Sequence, residues 1–133
     1  MAPGAQVVPL KVADNNGSVP YQAQLEALRW VRDNARTLGI SVVSMSLGGG
    51  NYTSFGSEPR RTVIQELRAM NIPVVISAGN GFHSANSQQG MGSPAIFPES
   101  ISVGAVFDAA LGTYGWSGGA MAYTTRADQI TPF

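Results

Sequence analysis

Ile72-Pro-Val-Val-Ile-Ser-Ala-Gly-Asn80-Gly81 is an apolar run that breaks off at Ser77-Ala-Gly-Asn80. Consecutive β-branched residues with no polar alternation read as a strand buried on both faces, and Gly79-Asn80 reads as the turn at its carboxyl end. In open α/β sheets ligands bind at the carboxyl ends of the strands, so an amide placed there faces a site rather than the core. Asn80 therefore has two readings at this point. It is a polar group presented to a ligand, or an asparagine chosen because it tolerates a tight turn.

Working outward, the chain alternates. Ala5 to Val12 mixes β-branched and small residues and reads as a first strand, closed by the turn residues Asp14-Asn-Asn-Gly17. Tyr21, Leu25, Leu28, Val31, Ala35 and Leu38 recur at helical spacing from Pro20 to Leu38, with Gly39 where a helix would stop. Ile40 to Leu47 is a second strand, followed by a Gly48-Gly-Gly50 loop. A second helix opens with Ser57 as cap and Glu58 at the positive end, and carries Val63, Ile64, Leu67 and Met70 on one face. The opening run is the third strand, Gly81 to Gly92 a polar loop, and Ile101 to Phe107 a fourth strand. Asp108 to Arg126 has no sustained period and reads as a loop or hairpin. The order βαβαβ implies an α/β fold: a three-layer, mostly parallel sheet with helices on both faces.

Composition narrows the function classes. The 133 residues are 44% hydrophobic and 12% charged with zero net charge, which fits a globular domain and offers no basic footprint for nucleic acid or anionic lipid. Without cysteine there is no disulfide framework or thiolate metal site, and a single histidine rules out a histidine-rich centre. No metal ligand set is expected. No apolar run reaches bilayer-spanning length, and the first residues lack the charged and apolar regions of a leader, so the chain reads as soluble and not membrane-bound.

Three motifs invite chemistry. The glycines of Ser46-Leu-Gly-Gly49 would let a peptide approach the backbone and pair as an added strand; they would equally suit a flexible loop. A phosphate cradle is weak here, because Gly48-Gly-Gly-Asn-Tyr-Thr-Ser54 lacks the P-loop lysine and spacing. Gly115-Trp-Ser117-Gly-Gly119 matches the nucleophile elbow G-x-S-x-G, but that motif needs a helix after it and a histidine further on, and none follows Ser117 in the sequence. His83 lies in a polar loop and is read as solvated surface, with no role.

Taken together, Ser77-Ala-Gly-Asn80, Ser44-Met-Ser-Leu-Gly-Gly-Gly50 and Gly92-Ser-Pro-Ala-Ile-Phe-Pro-Glu-Ser-Ile-Ser-Val-Gly-Ala-Val106 resemble, in order, the middle of the catalytic domain of subtilisin-like serine peptidases, the subtilases of family S8. The resemblance covers nearly the whole chain, so residues 1–133 are expected to be one partial domain. It implies that Asn80 is the oxyanion-hole donor. Ser46, Leu47, Gly48 and Gly49 would form one wall of the specificity pocket, and Ser77, Ala78 and Gly79 the other, with Gly92 at its floor. Gly17 and Ser18 would belong to the opposite edge that sandwiches the peptide, with Tyr21 lining a more distant subsite. The Ser93-Pro94 bond would be cis, although most X-Pro bonds are trans.

The same resemblance implies a peptide or protein substrate and serine endopeptidase chemistry. It implies no cofactor for this chain, although a complete family domain can hold calcium. It also implies a secreted or extracytoplasmic setting. A serine peptidase needs an aspartate, a histidine and a serine, and the family's His-Gly-Thr-His and Gly-Thr-Ser-Met-Ala motifs do not occur in this sequence. Both ends are accordingly expected to be interior points of a longer chain, with Met1 an added start, and the chain by itself is expected to be inactive. A catalytically empty peptide-binding module and a small-ligand α/β domain using the Gly48 loop are the alternatives. In the family the strand bearing the catalytic aspartate lies between those matching Ala5 to Val12 and Ile40 to Leu47. Without it two apolar edges are expected to be unpaired, favouring a homo-oligomer.

Overall fold

In chain order the elements are helix α1 (Tyr21–Leu38), strand β1 (Val43–Met45), strand β2 (Gly49–Tyr52), helix α2 (Pro59–Ala69), and strands β3 (Val74–Ser77), β4 (Met91–Ser93), β5 (Ile101–Val103), β6 (Tyr114–Gly115) and β7 (Met121–Ala122). The structure, a computed structural model, describes residues 3–133; Met1, the expected added start, and Ala2 lie outside the described residues. β3, cut from the opening apolar run, is the centre of a three-stranded parallel sheet ordered β1-β3-β5, with Val43 opposite Val74 and Val75 opposite Ile101. The α/β class and the parallel pairing are those expected from the alternation of strands and helices.

Helical spacing translates directly into burial. Leu25, Leu28, Val31 and Ala35 of α1 and Val63, Ile64 and Leu67 of α2 are buried, and the two helices pack on each other. They share one core with Met45 of β1 and with Val74 and Ile76 of β3. Tyr21 and Leu38, the ends of the α1 stripe, are exposed. Gly39 ends α1 in the left-handed conformation (φ 65°), its N–H donating to the Ala35 carbonyl. Arg32 of α1 and Glu66 of α2 pair at 2.8 Å across the helix interface.

Four sequence expectations are corrected. Residues 5 to 12 form no strand: they are largely exposed, with Val7 83% accessible, and no neighbour pairs with them. Alternating β-branched residues favour an extended backbone, but a strand exists only through ladder bonds to a partner. α2 starts at Pro59 with Glu58, not Ser57, before it, and the Glu58 carboxylate bonds the Arg60 side chain instead of capping the helix. Proline suits the first helical position because its missing N–H has no intrahelical partner there. The Gly48 loop and the end of the polar loop pair as β2 and β4, an antiparallel ribbon with an irregular register between Gly49↔Ser93 and Tyr52↔Met91. The strand expected from Ile101 to Phe107 stops at Val103, and Val106 bridges Ile130 instead.

The segment after β4 is tied to α2 by charge. Arg61 Nε and Nη2 donate to the Glu99 carboxylate at 3.0 and 2.8 Å, and Gln65 Nε2 donates to it at 2.8 Å. The Arg61 bonds hold the Glu99 carboxyl at about 2, well below its ordinary 4.5, with burial opposing the shift and Gln65 assisting it. A carboxyl depressed on folding contributes stability in full above its unfolded pKa and loses it as pH falls through the folded one. Thermal unfolding followed from pH 5 to pH 2 is expected to show the loss across that window, and Glu99→Gln is expected to flatten it. An unchanged slope in the variant would assign the loss to other carboxylates.

Candidate active site

The parallel strands β1 and β3 point the same way, so Ser46, just beyond β1, and Ser77, the last residue of β3, arrive at one end of the sheet. There Ser46, Leu47, Gly48, Gly49, Ser77, Gly79 and Asn80 line a cleft of about 650 Å³, together with Gly50, Asn51, Gly81, Ser84 and Ala85. Asn80 is exposed and contributes to this cleft. This is the strand-end geometry at which α/β sheets present ligand-binding groups.

Glycine is required at the cleft by close backbone approach. A Cβ at Gly48 would lie 3.0 Å from the Ser93 carbonyl oxygen, and one at Gly79 (φ 103°) would lie 3.3 Å from the backbone of Gly92. Gly92 is buried behind the wall, and its N–H donates to the Ala78 carbonyl at 2.8 Å. The Ala78 N–H donates in turn to Val103 at 2.9 Å, so Ala78 and Gly92 support the cleft instead of lining it. The Ser93-Pro94 bond is cis, the isomer implied by the resemblance.

The expected opposite edge sits apart. Gly17 (φ 79°) and Ser18 belong to a turn in which the Asp14 carboxylate accepts the backbone N–H of Asn16 and Ser18, each at 2.9 Å. Neither residue lines the cleft, and neither does Tyr21. Tyr21 stands over Arg60, whose guanidinium carbon is 4.5 Å from the ring centroid.

Arg60 is the polar residue that sequence reasoning missed. It is 7% exposed, in the first turn of α2. It donates to Glu58 from Nε (2.7 Å) and Nη2 (3.1 Å), to Gln24 Oε1 from Nη1 (2.7 Å) and to Ser93 Oγ from Nη2 (2.9 Å). Of these partners only Glu58 is near in sequence, which is why helix periodicity, treating Arg60 as a polar position, gave no signal. Asn51 was missed for a similar reason: its side chain donates to the Gln88 carbonyl at 2.9 Å, a contact made only when β2 meets the loop.

A second cavity of about 410 Å³ lies beyond Asn80, lined by Asn80, His83, Ser84, Trp116, Ser117, Gly118, Ala120 and Phe133. Folding thus places Ser117 and His83 in a shared recess. Ser117 nevertheless sits in the turn of the β6-β7 hairpin, where the Trp116 N–H donates to Ala120 at 2.9 Å, and a strand follows it instead of the helix an elbow needs. Among the described residues no group of three or more histidine and acidic side chains converges on a metal position.

A model of the subtilase family, Peptidase S8, matches residues 1–133. Subtilisin DY of Bacillus licheniformis is 35% identical over 106 residues, 80% of this chain and 35% of its own length. Subtilisin E of Bacillus subtilis (strain 168) is likewise 35% identical over 106 residues, 26% of its length. The solved structure of Sphericase shares the fold at a TM-score of 0.57 and 21% identity, over 89% of this chain and 34% of that one. The chain therefore spans about a quarter to a third of the length of these subtilisins. With the family model matched over residues 1–133 and subtilisins 35% identical over 80% of the chain, the chain belongs to the subtilase family of serine peptidases.

Proposed function

We propose that this chain is the interior of a subtilisin-like serine endopeptidase domain, contributing the oxyanion donor Asn80 and the walls that hold a peptide, and that it hydrolyses nothing by itself. One observation carries the reading: Asn80 shares a cleft with Ser46 to Gly49 and with Ser77 and Gly79, so an amide N–H donor stands beside a glycine-lined wall that a peptide can approach closely. In acyl transfer, charge grows on the carbonyl oxygen of the scissile bond, and a donor fixed beforehand at that position stabilises the transition state more than the substrate. The chain's role is to hold the peptide extended and to present that donor. The nucleophile and its base belong to the complete domain. An extracytoplasmic setting is part of the proposal, by analogy with relatives such as the Extracellular serine proteinase of a Thermus species.

An NMR titration of the labelled chain with an unreactive hexapeptide tests this. Shift changes are expected at Gly48, Gly49, Gly79 and Asn80, with no cleavage of a matching substrate peptide. Changes confined to other surfaces would remove the cleft reading, and turnover abolished by Ser117→Ala would make the hairpin serine a nucleophile. Sedimentation of the same samples reads self-association through β1, which pairs only with β3 and leaves its other edge unpaired; a monomer at high concentration would strike that part out.

A further inference from the structure

Asn80 is followed by Gly81, and the pair has a chemistry of its own. An asparagine side-chain amide carbon can reach the backbone nitrogen of the next residue, and glycine presents that nitrogen with no side chain to shield it. Two such pairs occur in the sequence, Asn16-Gly17 and Asn80-Gly81, and folding treats them differently. At the first, the Gly17 N–H donates to the Asp14 carbonyl at 3.2 Å, and the Asp14 carboxylate accepts the N–H groups of Asn16 and Ser18 at 2.9 Å each. At the second, neither the Gly81 N–H nor the Asn80 side chain has a hydrogen-bond partner among the described residues, and Asn80 is exposed in the cleft. The neighbouring strand keeps glycine at this position. A Cβ on Gly81 would lie 3.0 Å from the Gly50 carbonyl oxygen and 3.2 Å from Asn51 Cβ, so the approach of β2 disfavours any side chain that would shield the nitrogen.

We propose that Asn80-Gly81 is a site of spontaneous self-modification, at which the chain loses its cleft amide as ammonia. The Gly81 nitrogen gives up its proton to solvent base and bonds to Asn80 Cγ; the Cγ–Nδ2 bond breaks, and Nδ2 leaves as ammonia after taking a proton from water. Water then opens the resulting cyclic imide, giving aspartate when it adds at Cγ and isoaspartate when it adds at the backbone carbonyl. Either product replaces an N–H donor in the cleft by a carboxylate, and isoaspartate also adds a backbone carbon ahead of Gly81. The modification follows from this chain's geometry alone, while its consequence rests on the function proposed above. A negative charge then stands where negative charge has to develop, so a peptidase carrying this chain ages into an inactive form at a rate set by one dipeptide.

The test incubates the 133-residue chain in mildly alkaline buffer, folded and in guanidinium chloride, and reads its proteolytic peptides by mass spectrometry for exchange of amide for carboxylate. In the folded chain Asn80 is expected to convert roughly fivefold faster than Asn16, a ratio equivalent to the ~1 kcal/mol of one hydrogen bond that must first break. In denaturant the two rates are expected to converge. Asp14→Ala, which removes the carboxylate that closes the turn and lies outside the cleft, is expected to raise the Asn16 rate and leave Asn80 unchanged. Asn80 as slow as Asn16 in the folded chain, or a difference that persists in denaturant, would overturn the inference, as would an Asn16 rate that Asp14→Ala does not move. A complete domain carrying these residues separates the site from its consequence. There kcat is expected to fall in step with the modified fraction, and full conversion at undiminished kcat would overturn the oxyanion role of Asn80, and the ageing with it, while the modification site stands.

Discussion

On the function proposed above, Asn80→Ala in a complete domain carrying these residues is expected to lower kcat by roughly 10²–10³ and to leave KM nearly unchanged. The magnitude is the one known for the oxyanion asparagine of a subtilisin; it is carried over through family membership, not obtained from this chain's geometry. The split between kcat and KM follows from the chemistry. A donor aimed at the developing oxyanion strengthens its bond as charge accumulates, so its loss is felt in the transition state and hardly in the bound substrate. Because Asn80 is exposed and lies outside the hydrophobic core, the substitution leaves the core packing intact. Asn80→Asp sharpens the test, since it keeps the shape but replaces the N–H donor by an acceptor, and an equal or larger loss is expected. A rise in KM at constant kcat would make Asn80 a ground-state contact, and full activity would leave it a turn residue.

Leu67→Ala is expected to destabilise the chain by about 2–5 kcal/mol, read from urea unfolding. Leu67 is completely buried on α2, beside Ile64 in the core that includes Val74 and Ile76 of β3. Truncation removes transfer free energy and leaves a cavity that close-packed neighbours fill only in part. Against a total stability on the order of 5–15 kcal/mol for a typical domain, a loss of this size is large. It also bears on function, because α2 leads through Ile72 into β3, and β3 delivers Ser77, Gly79 and Asn80 to the cleft. Leu38→Ala, on the exposed end of the α1 stripe, is the matched control and is expected to stay within about 0.5 kcal/mol. Equal effects at the two leucines would show that burial in the helical layer does not govern stability here.

The α1 and α2 stripes, the Gly39 stop and the central strand were legible because each depends on spacing within a short stretch. Leu25, Leu28, Val31 and Ala35 face one way by helical geometry alone, whatever they meet. The cleft was half legible. Ser46 to Gly49 and Ser77 to Asn80 could be placed at strand ends because parallel strands bring their carboxyl ends to the same side. That Ala78 and Gly92 would stand behind the wall, bonded to each other, could not be read, since the β2-β4 ribbon joins segments that are distant in sequence.

What the sequence by itself determined is the family, the α/β class, the identity of the strand-end amide and the glycines around it, because motif order and local periodicity are properties of the chain alone. What only the tertiary structure decided are the contacts between distant segments. Ala5 to Val12 carries a strand pattern yet makes no strand, because pairing requires a partner and none stands beside it. Arg60 carries the pattern of a polar helix position yet is buried among Gln24, Glu58 and Ser93, because desolvation and hydrogen bonding are settled by what packs around a side chain.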